Sequence, residues 1–338
     1  MDRTTRVEEK GARFKVLTFN TFPGSPVPYL LNGTRSLYND GDRLARMVAA
    51  IEAENCDIVC FQELNCHACR DHFKNYFAHT YTMVHSTDVS PCGTALWIGL
   101  HLLVWALLCL AVRSALLPWW TLKTHIWADV VVVLMAAALC RWLLHKTTLD
   151  VFLGEDETGL AIMYRSGQFF LGADGFSFKN FECQTGDFMN WANPRAYMQI
   201  DLRLCSMPSR SIHVFNTHMN ALGSPTHRES QASELARAAS KFDAAVVCGD
   251  FNDVPTSAAA RVMRDSGLID VMDNVAARDT WVARNPLSVG WMRVDDLCVD
   301  YVFRSCHFSQ QSACVCIDSA PFVSDHLGVR VELSLMKD

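Results

Sequence analysis

The chain alternates short apolar runs with polar stops, and the stops carry most of its candidate chemistry. The most telling run is Ala244–Cys248, A-A-V-V-C, which breaks at Gly249 and is followed at once by Asp250 and Asn252. An unbroken apolar run of this length reads as a strand buried on both faces. Residues two apart on a strand project from one face. Asp250 and Asn252 are therefore expected to point together from the strand end, with Phe251 turned back into the core. A Gly-Asp turn closing an ordinary strand would leave the same local pattern, so partners have to be sought elsewhere.

The same arrangement recurs along the chain. Phe14–Phe19 ends in Asn20, and Cys56–Phe61 ends in Gln62-Glu63. Ser211–Asn216 delivers Thr217-His218-Met219-Asn220, and Val299–Phe303 contains Asp300. Thr158–Tyr164, Phe169–Phe181, Ala196–Leu204 and Gly328–Leu335 are further strand candidates, the last preceded by Ser324-Asp325-His326. Helical spacing covers Asp42–Glu54, Ser224–Ala239 and the region around Ser257–Ser266. No internal repeat is visible at the level of sequence.

One stretch departs from this rhythm. Ala95–Val112 and Ile126–Leu144 are long apolar runs, with Trp97, Trp119, Trp120, Trp127 and Trp142 near their ends. A spanning helix needs about 20 apolar residues, with aromatic anchors at the interfaces. The pattern predicts an inserted transmembrane helical hairpin over 95–145; a pair of buried or surface-lying helices is the alternative. It would interrupt one discontinuous domain formed by 14–94 and 146–336. Two spans return the chain to its starting side. The N-terminal stretch lacks an apolar signal, and Arg141 and Lys146 flank the domain side. The expectation is an integral membrane protein with its catalytic domain facing the cytosol.

Composition narrows the possibilities. Half the residues are hydrophobic and the net charge is −6, with no basic cluster, which disfavours nucleic acid as the main partner. Among 14 cysteines, Cys66 and Cys69 form a C-x-x-C, but no second pair completes a closed zinc site. Most of the others lie in apolar runs, where cysteine behaves as a small hydrophobe. With the charged N-terminus, this favours a reducing compartment.

The polar stops are chemically complementary. Glu63 and Asn20 offer oxygen ligands to a hard divalent cation. His326 with a carboxylate partner makes an oriented base. His218, Asn220 and Asn252 can meet charge on phosphoryl oxygens.

The motifs N-T-F, F-Q-E-L, G-L-A-I-M-Y-R, N-T-H-M-N-A, G-D-F-N, D-Y-V-F and S-D-H occur in this order from about Phe14 to Leu335. In this the chain resembles the endonuclease/exonuclease/phosphatase superfamily, and is most similar to its neutral sphingomyelinase-like branch. The resemblance implies a four-layer α/β/β/α sandwich of two packed mixed sheets flanked by helices. It implies Mg2+, with Mn2+ as the alternative, bound by Asn20, Glu63 and Asp325. It implies His326 as general base oriented by Asp300. Asp250 and Asn252 would position water, leaving group or phosphate, and His218 and Asn220 would stabilise the transition state. Arg195, in N-P-R where that branch carries Lys-Gly, is left to bind substrate phosphate.

The expected activity is metal-dependent phosphodiester hydrolysis of a phospholipid or sphingolipid headgroup by a membrane-embedded enzyme, with no obligate protein partner evident. A phosphoinositide phosphatase, a membrane-held nuclease and a catalytically silent scaffold are the alternatives. Phe22 stands where abasic endonucleases carry an acidic residue, which counts against the nuclease.

Overall fold

In a computed structural model of the chain, residues 12–22, 41–64, 67–86, 159–183, 195–221, 224–288 and 295–336 are described. They contain strands β1 (Arg13–Asn20), β2 (Ile58–Gln62), β3 (Tyr81–His85), β4 (Ala161–Arg165), β5 (Phe169–Asn180) and β6 (Ala196–Leu204). The second half holds β7 (Met207–His218), β8 (Ala245–Asp250), β9 (Ile269–Asp270), β10 (Asp300–Arg304), β11 (Phe308–Cys316) and β12 (Gly328–Leu335). The described helices are α1 (Gly41–Glu54), α2 (His67–Phe77), α3 (Pro225–Ala239) and α4 (Ala258–Asp265).

Two six-stranded sheets result, ordered β11-β12-β1-β2-β4-β3 and β5-β6-β7-β8-β10-β9. The pairs β1/β2 and β7/β8 are parallel, and all other pairings are antiparallel. The order β1-α1-β2-α2-β3-β4 is repeated as β7-α3-β8-α4-β9-β10. Each half then gives its last two strands to the other half's sheet. The repeat is in topology, and the sequence carries no sign of it.

Side-chain alternation builds the layers. On β1, Phe14 and Val16 face the slab between the sheets, while Leu17 and Phe19 face the helices. On β8, Val246 and Cys248 face the slab, and Ala245 and Val247 the other way. α1 and α2 cover the first sheet through Met47, Val48, Ile51 and Phe73. α3 and α4 cover the second through Ala232, Leu235, Ala259 and Met263. The expected four-layer sandwich is thus what the described residues form. The slab ends in aromatic packing on one side, where Phe14 meets Phe169 and Phe308 edge-on, each at 5.8 Å.

Its other end turns polar. The slab-facing series read Val16-Thr18-Asn20 on β1, Ile58-Cys60-Gln62 on β2, Val214-Asn216-His218 on β7 and Val246-Cys248-Asp250 on β8. These residues are all buried. The candidate site is therefore the last layer of the inter-sheet core.

The expected integral-membrane, cytosol-facing placement is corrected here. Among the described residues no helix is long and apolar enough to cross a membrane. Those helices run from 8 to 15 residues, against about 20 for a span, and each carries charged side chains. The hairpin expected over 95–145 lies outside the described residues.

That segment belongs to a connection whose two ends are held together. His85 is the register partner of Ala161, and Ser86 N donates to Leu160 O at 2.9 Å. The strands on either side of the connection, β3 and β4, are therefore antiparallel neighbours. Replacing residues 88–158 with a short Gly-containing turn is expected to preserve cooperative unfolding. Loop-closure entropy favours the shortened chain by roughly 2 kcal/mol. Thermal unfolding followed by circular dichroism checks this, and loss of the cooperative transition would refute the pairing.

Candidate active site

Parallel strands leave their sheet at the same rim, and antiparallel neighbours begin there. Asn20, Gln62, His218 and Asp250 thus close β1, β2, β7 and β8, while Asp300 opens β10 opposite Asp250. His326 lies two residues before β12, which pairs with β1. Three of the turns that leave these strands pass through the left-handed region at non-glycine residues: Phe22 (φ 45°), Glu63 (φ 58°) and Asn252 (φ 50°). Such conformations cost about 1 kcal/mol or more each and persist where surrounding contacts enforce them. Gly249 is required for a different reason. A Cβ there would lie 2.1 Å from the Thr217 carbonyl oxygen. Only glycine lets β7 and β8 run close enough to set His218 beside Asp250.

The polar ends form one connected cluster. Asn20 Nδ2 donates to Glu63 Oε1 at 3.2 Å and to Asp250 Oδ2 at 3.1 Å. His218 Nε2 lies 3.8 Å from Glu63 Oε1 and 3.6 Å from Asp250 Oδ2. His326 Nε2 stands 3.8 Å from Asp250 Oδ2, and its Nδ1 meets Asp300 Oδ2 at 2.8 Å. Arg195 Nη1 contacts the His218 ring nitrogens at 2.8 and 3.0 Å. Asp325 is buried in the same layer, where its charge couples to His326, Glu63 and Asp300. Seven of the residues expected from sequence are linked by contact, from Asn20 to His326, and Asp325 joins them through charge.

Asn252 does not project alongside Asp250 as strand alternation implied. The strand ends at Asp250, and the left-handed turn carries Asn252 aside. Its backbone N–H donates to Asp250 Oδ1 at 2.8 Å, and its Nδ2 donates to Met219 O at 3.1 Å. Asn252 therefore braces the aspartate. Asn220, two residues after His218, is buried and contacts Gln231 of α3.

Some residues at the site gave no signal in the sequence. Arg43 on α1 is 2 % exposed, and its Nη1 donates to Phe22 O at 3.0 Å and Val323 O at 3.1 Å. It joins the loop after β1 to the loop carrying Asp325 and His326. Ser324 Oγ donates to Asn20 O at 2.6 Å and accepts from His326 N at 3.2 Å. Helical spacing placed Arg43 on no particular face, and Ser324 was read only as part of a short motif.

The electrostatics favour a bound cation. Burial raises Asp250 to about 7, aided by the nearby charge of Asp300. Burial likewise raises Asp325 to about 7, with Glu63 and Asp300 adding to it. Buried carboxylates crowd one another here, and a hard divalent ion relieves that crowding through oxygen ligands. Asp250, Asp300 and His326 present ligand atoms within 4.8 Å of one another. Asp300 and His326 are already bonded to each other, however, so a cation fits better on the Glu63–Asp250 side. Asn20 turns its N–H toward those carboxylates, because its Oδ1 accepts from Phe22 N at 3.0 Å. In this arrangement it bridges the carboxylates as a donor.

The two histidines are set apart. Burial lowers His218 well below its ordinary value, and Arg195 and His326 push the same way. Burial alone would also lower His326, but Asp300, Asp325 and Asp250 outweigh it and the net shift is upward. The two imidazoles, on either side of Asp250, are thus shifted in opposite directions.

The Endonuclease/Exonuclease/phosphatase family model matches residues 30–326, and the protein belongs to that family. Members of the family are phosphoester hydrolases. Asn20 lies ahead of the matched range and enters the site by geometry. No curated protein sequence matches the chain. Among solved structures, an endonuclease/exonuclease/phosphatase from Bacteroides vulgatus is similar at 17% identity and TM-score 0.60, over 96% of this chain and 100% of that one. The human Nocturnin catalytic domain with bound sulfate is similar at 17% and 0.58, over 96% and 94%. A mannosyl-6-phosphatase from Bacteroides thetaiotaomicron is similar at 15% and 0.60, over 95% and 100%. At these identities the likeness establishes the fold.

Histidine NMR titration of the metal-free protein tests the electrostatics. His326 is expected to titrate above the ordinary 6.5 and His218 below it. Asp300→Asn removes the largest raising charge and should bring His326 down, as should added Mg2+. A His326 that titrates at or below the ordinary value would contradict the arrangement.

Proposed function

We propose that the protein is a divalent-metal-dependent phosphoester hydrolase that uses Mg2+ and activates water at His326. The observation that carries this reading is the buried Asp300–His326–Asp250 alignment, connected through Asn20 to the half-buried Glu63. A histidine bonded through Nδ1 to a buried carboxylate has its Nε2 free to accept a proton. Asp300 fixes that tautomer and steadies the charge that forms. Asp250, braced by Asn252, lies on the Nε2 side, where an attacking water can be held between carboxylate and imidazole. His218, neutral and paired with Arg195, supplies donors on the opposite flank for phosphoryl oxygens. Glu63 and Asp250, with Asp325 beside them, would hold the cation through oxygen. When bound, the cation would neutralise charge on the phosphoryl group and favour the unprotonated form of His326.

For the substrate class we favour a phosphodiester at a phospholipid or sphingolipid headgroup. The support is the sequence N-T-H-M-N-A followed by H-R-E-S-Q-A-S-E-L, with Arg195 in place to meet a phosphate oxygen. A phosphomonoester is the second reading, favoured by the fold shared with a sugar phosphatase.

A Mg2+-dependent screen against sphingomyelin, lysophospholipids, phosphoinositides, mannose 6-phosphate and plasmid DNA separates these. Phosphocholine release supports the headgroup diesterase, inorganic phosphate the monoesterase, and nicked plasmid a nuclease. Glu63→Gln and His326→Ala are each expected to lower kcat by about 10²–10⁴-fold on the active substrate. Chelation should abolish turnover and Mg2+ restore it. Near-normal turnover by either variant would remove that residue from its role.

A further inference from the structure

Asn220 holds one hydrogen-bonding group in reserve. It is fully buried, at 0 % exposure. Its backbone N–H donates to Gln231 Oε1 at 3.1 Å, and its Oδ1 accepts from Gln231 Nε2 at 3.2 Å. Its remaining side-chain group, Nδ2, is buried and has no hydrogen-bond partner among the described residues. An orphaned buried donor typically costs about 1–3 kcal/mol, so proteins keep few without a use.

Which end of the Asn220 amide is left over is decided by Gln231. Gln231 lies in the second turn of α3 and is itself fully buried. Its Nε2 also donates to Cys183 O at 3.0 Å, a carbonyl that can only accept. Its Oε1 takes the Asn220 backbone N–H, a group that can only donate. Both ends of the glutamine amide are thereby assigned. Asn220 must turn its oxygen to Gln231 and its NH2 away. A second brace fixes the backbone, with Arg228 Nη1 donating to Asn220 O at 3.4 Å while its Nε pairs with Asp253 at 3.0 Å. The loop is thus held to the one that carries Asn252.

We infer that Gln231 is a positioning residue for phosphoryl transfer: it locks the Asn220 amide so that Nδ2 is a preset donor for a non-bridging phosphate oxygen. This rests on the hydrolase reading above. It also adds a requirement, since an asparagine free to turn over would present an oxygen to an anion half the time. A donor held in place before the reaction loses no reorganisation energy during it.

The test is a double-mutant cycle with bis-p-nitrophenyl phosphate and Mg2+. Asn220→Ala should lower kcat about 10²-fold, the usual effect of losing one such donor. Gln231→Leu, close in volume but without the amide, should lower kcat by about 10-fold or more with KM within about twofold, and should add nothing in the Asn220→Ala background. Gln231→Glu keeps the acceptor and loses the donor, so it should behave like Gln231→Leu; it serves if the leucine variant does not fold. Equal losses from Gln231→Leu in both backgrounds, or unchanged kcat in both Gln231 variants while Asn220→Ala is impaired, overturn the inference and leave the hydrolase reading standing. If wild type hydrolyses no ester, the hydrolase reading fails. The locked amide is then judged by the Asn220 side-chain NH2 resonances, and a pair unmoved by Gln231→Leu overturns it as well.

Discussion

Gln62 and Asn216 meet across the gap between the sheets, Nε2 to Oδ1 at 2.6 Å, with neither side chain exposed. Asn216 Nδ2 also donates to the carbonyls of Phe61 and Ala161, and Gln62 Nε2 to Thr18 Oγ1. This bridge ties the two sheets together at the rim. Two apolar sheet faces can slide or part by an ångström at little cost in buried area. An amide pair with directional bonds cannot, because parting leaves buried donors and acceptors unmet. Glu63 follows Gln62, and His218 lies two residues after Asn216, so the bridge sets the spacing of groups that must act together. It joins the last two layers, with Gln62 beside Asn20 and Asn216 level with Cys248, where the slab changes from apolar to polar.

That change also explains how so much charge is tolerated. Four carboxylates, from Glu63, Asp250, Asp300 and Asp325, share a region with His218 and His326. An isolated buried carboxylate would neutralise itself by taking up a proton. Here Asp300 is matched by His326, and Asp250 accepts from Asn20 and Asn252. Arg43 lowers the cost at Asp325 from behind while tying two loops together. The negative charge still in excess is what a cation would answer.

Much of this architecture could be read from the chain, because burial on both faces leaves unbroken apolar runs. Central strands such as β2 and β8 are buried throughout, and their ends were evident. β11 is not marked in the sequence, since S-Q-Q-S-A-C-V-C at the sheet edge is only partly buried and lacks an apolar rhythm. β3 and α2 likewise show no unbroken apolar run. The site residues were legible as strand ends, and their roles came from the family resemblance. What could not be read was mutual satisfaction among polar groups. Gln62, Asn216 and Gln231 look like any surface amide until their partners, up to 155 residues away, are placed. Asn252 departs from strand alternation because it is left-handed, and nothing local in the sequence marks it as such.

The repeated element order has one more implication. β5 and β6 close the sheet begun by the second half of the chain, and β11 and β12 close the sheet begun by the first. The molecule is organised like a domain-swapped dimer compressed into a single polypeptide. A cut at the Cys205-Ser206 turn would leave two fragments, each unable to complete its own sheet. The candidate site residues are divided along the same line, with Asn20, Glu63 and Arg195 on one fragment and His218, Asp250, Asp300 and His326 on the other. Hydrolytic competence and the interlocking of the halves are then a single event, so activity regained from separately produced fragments would report the topology itself.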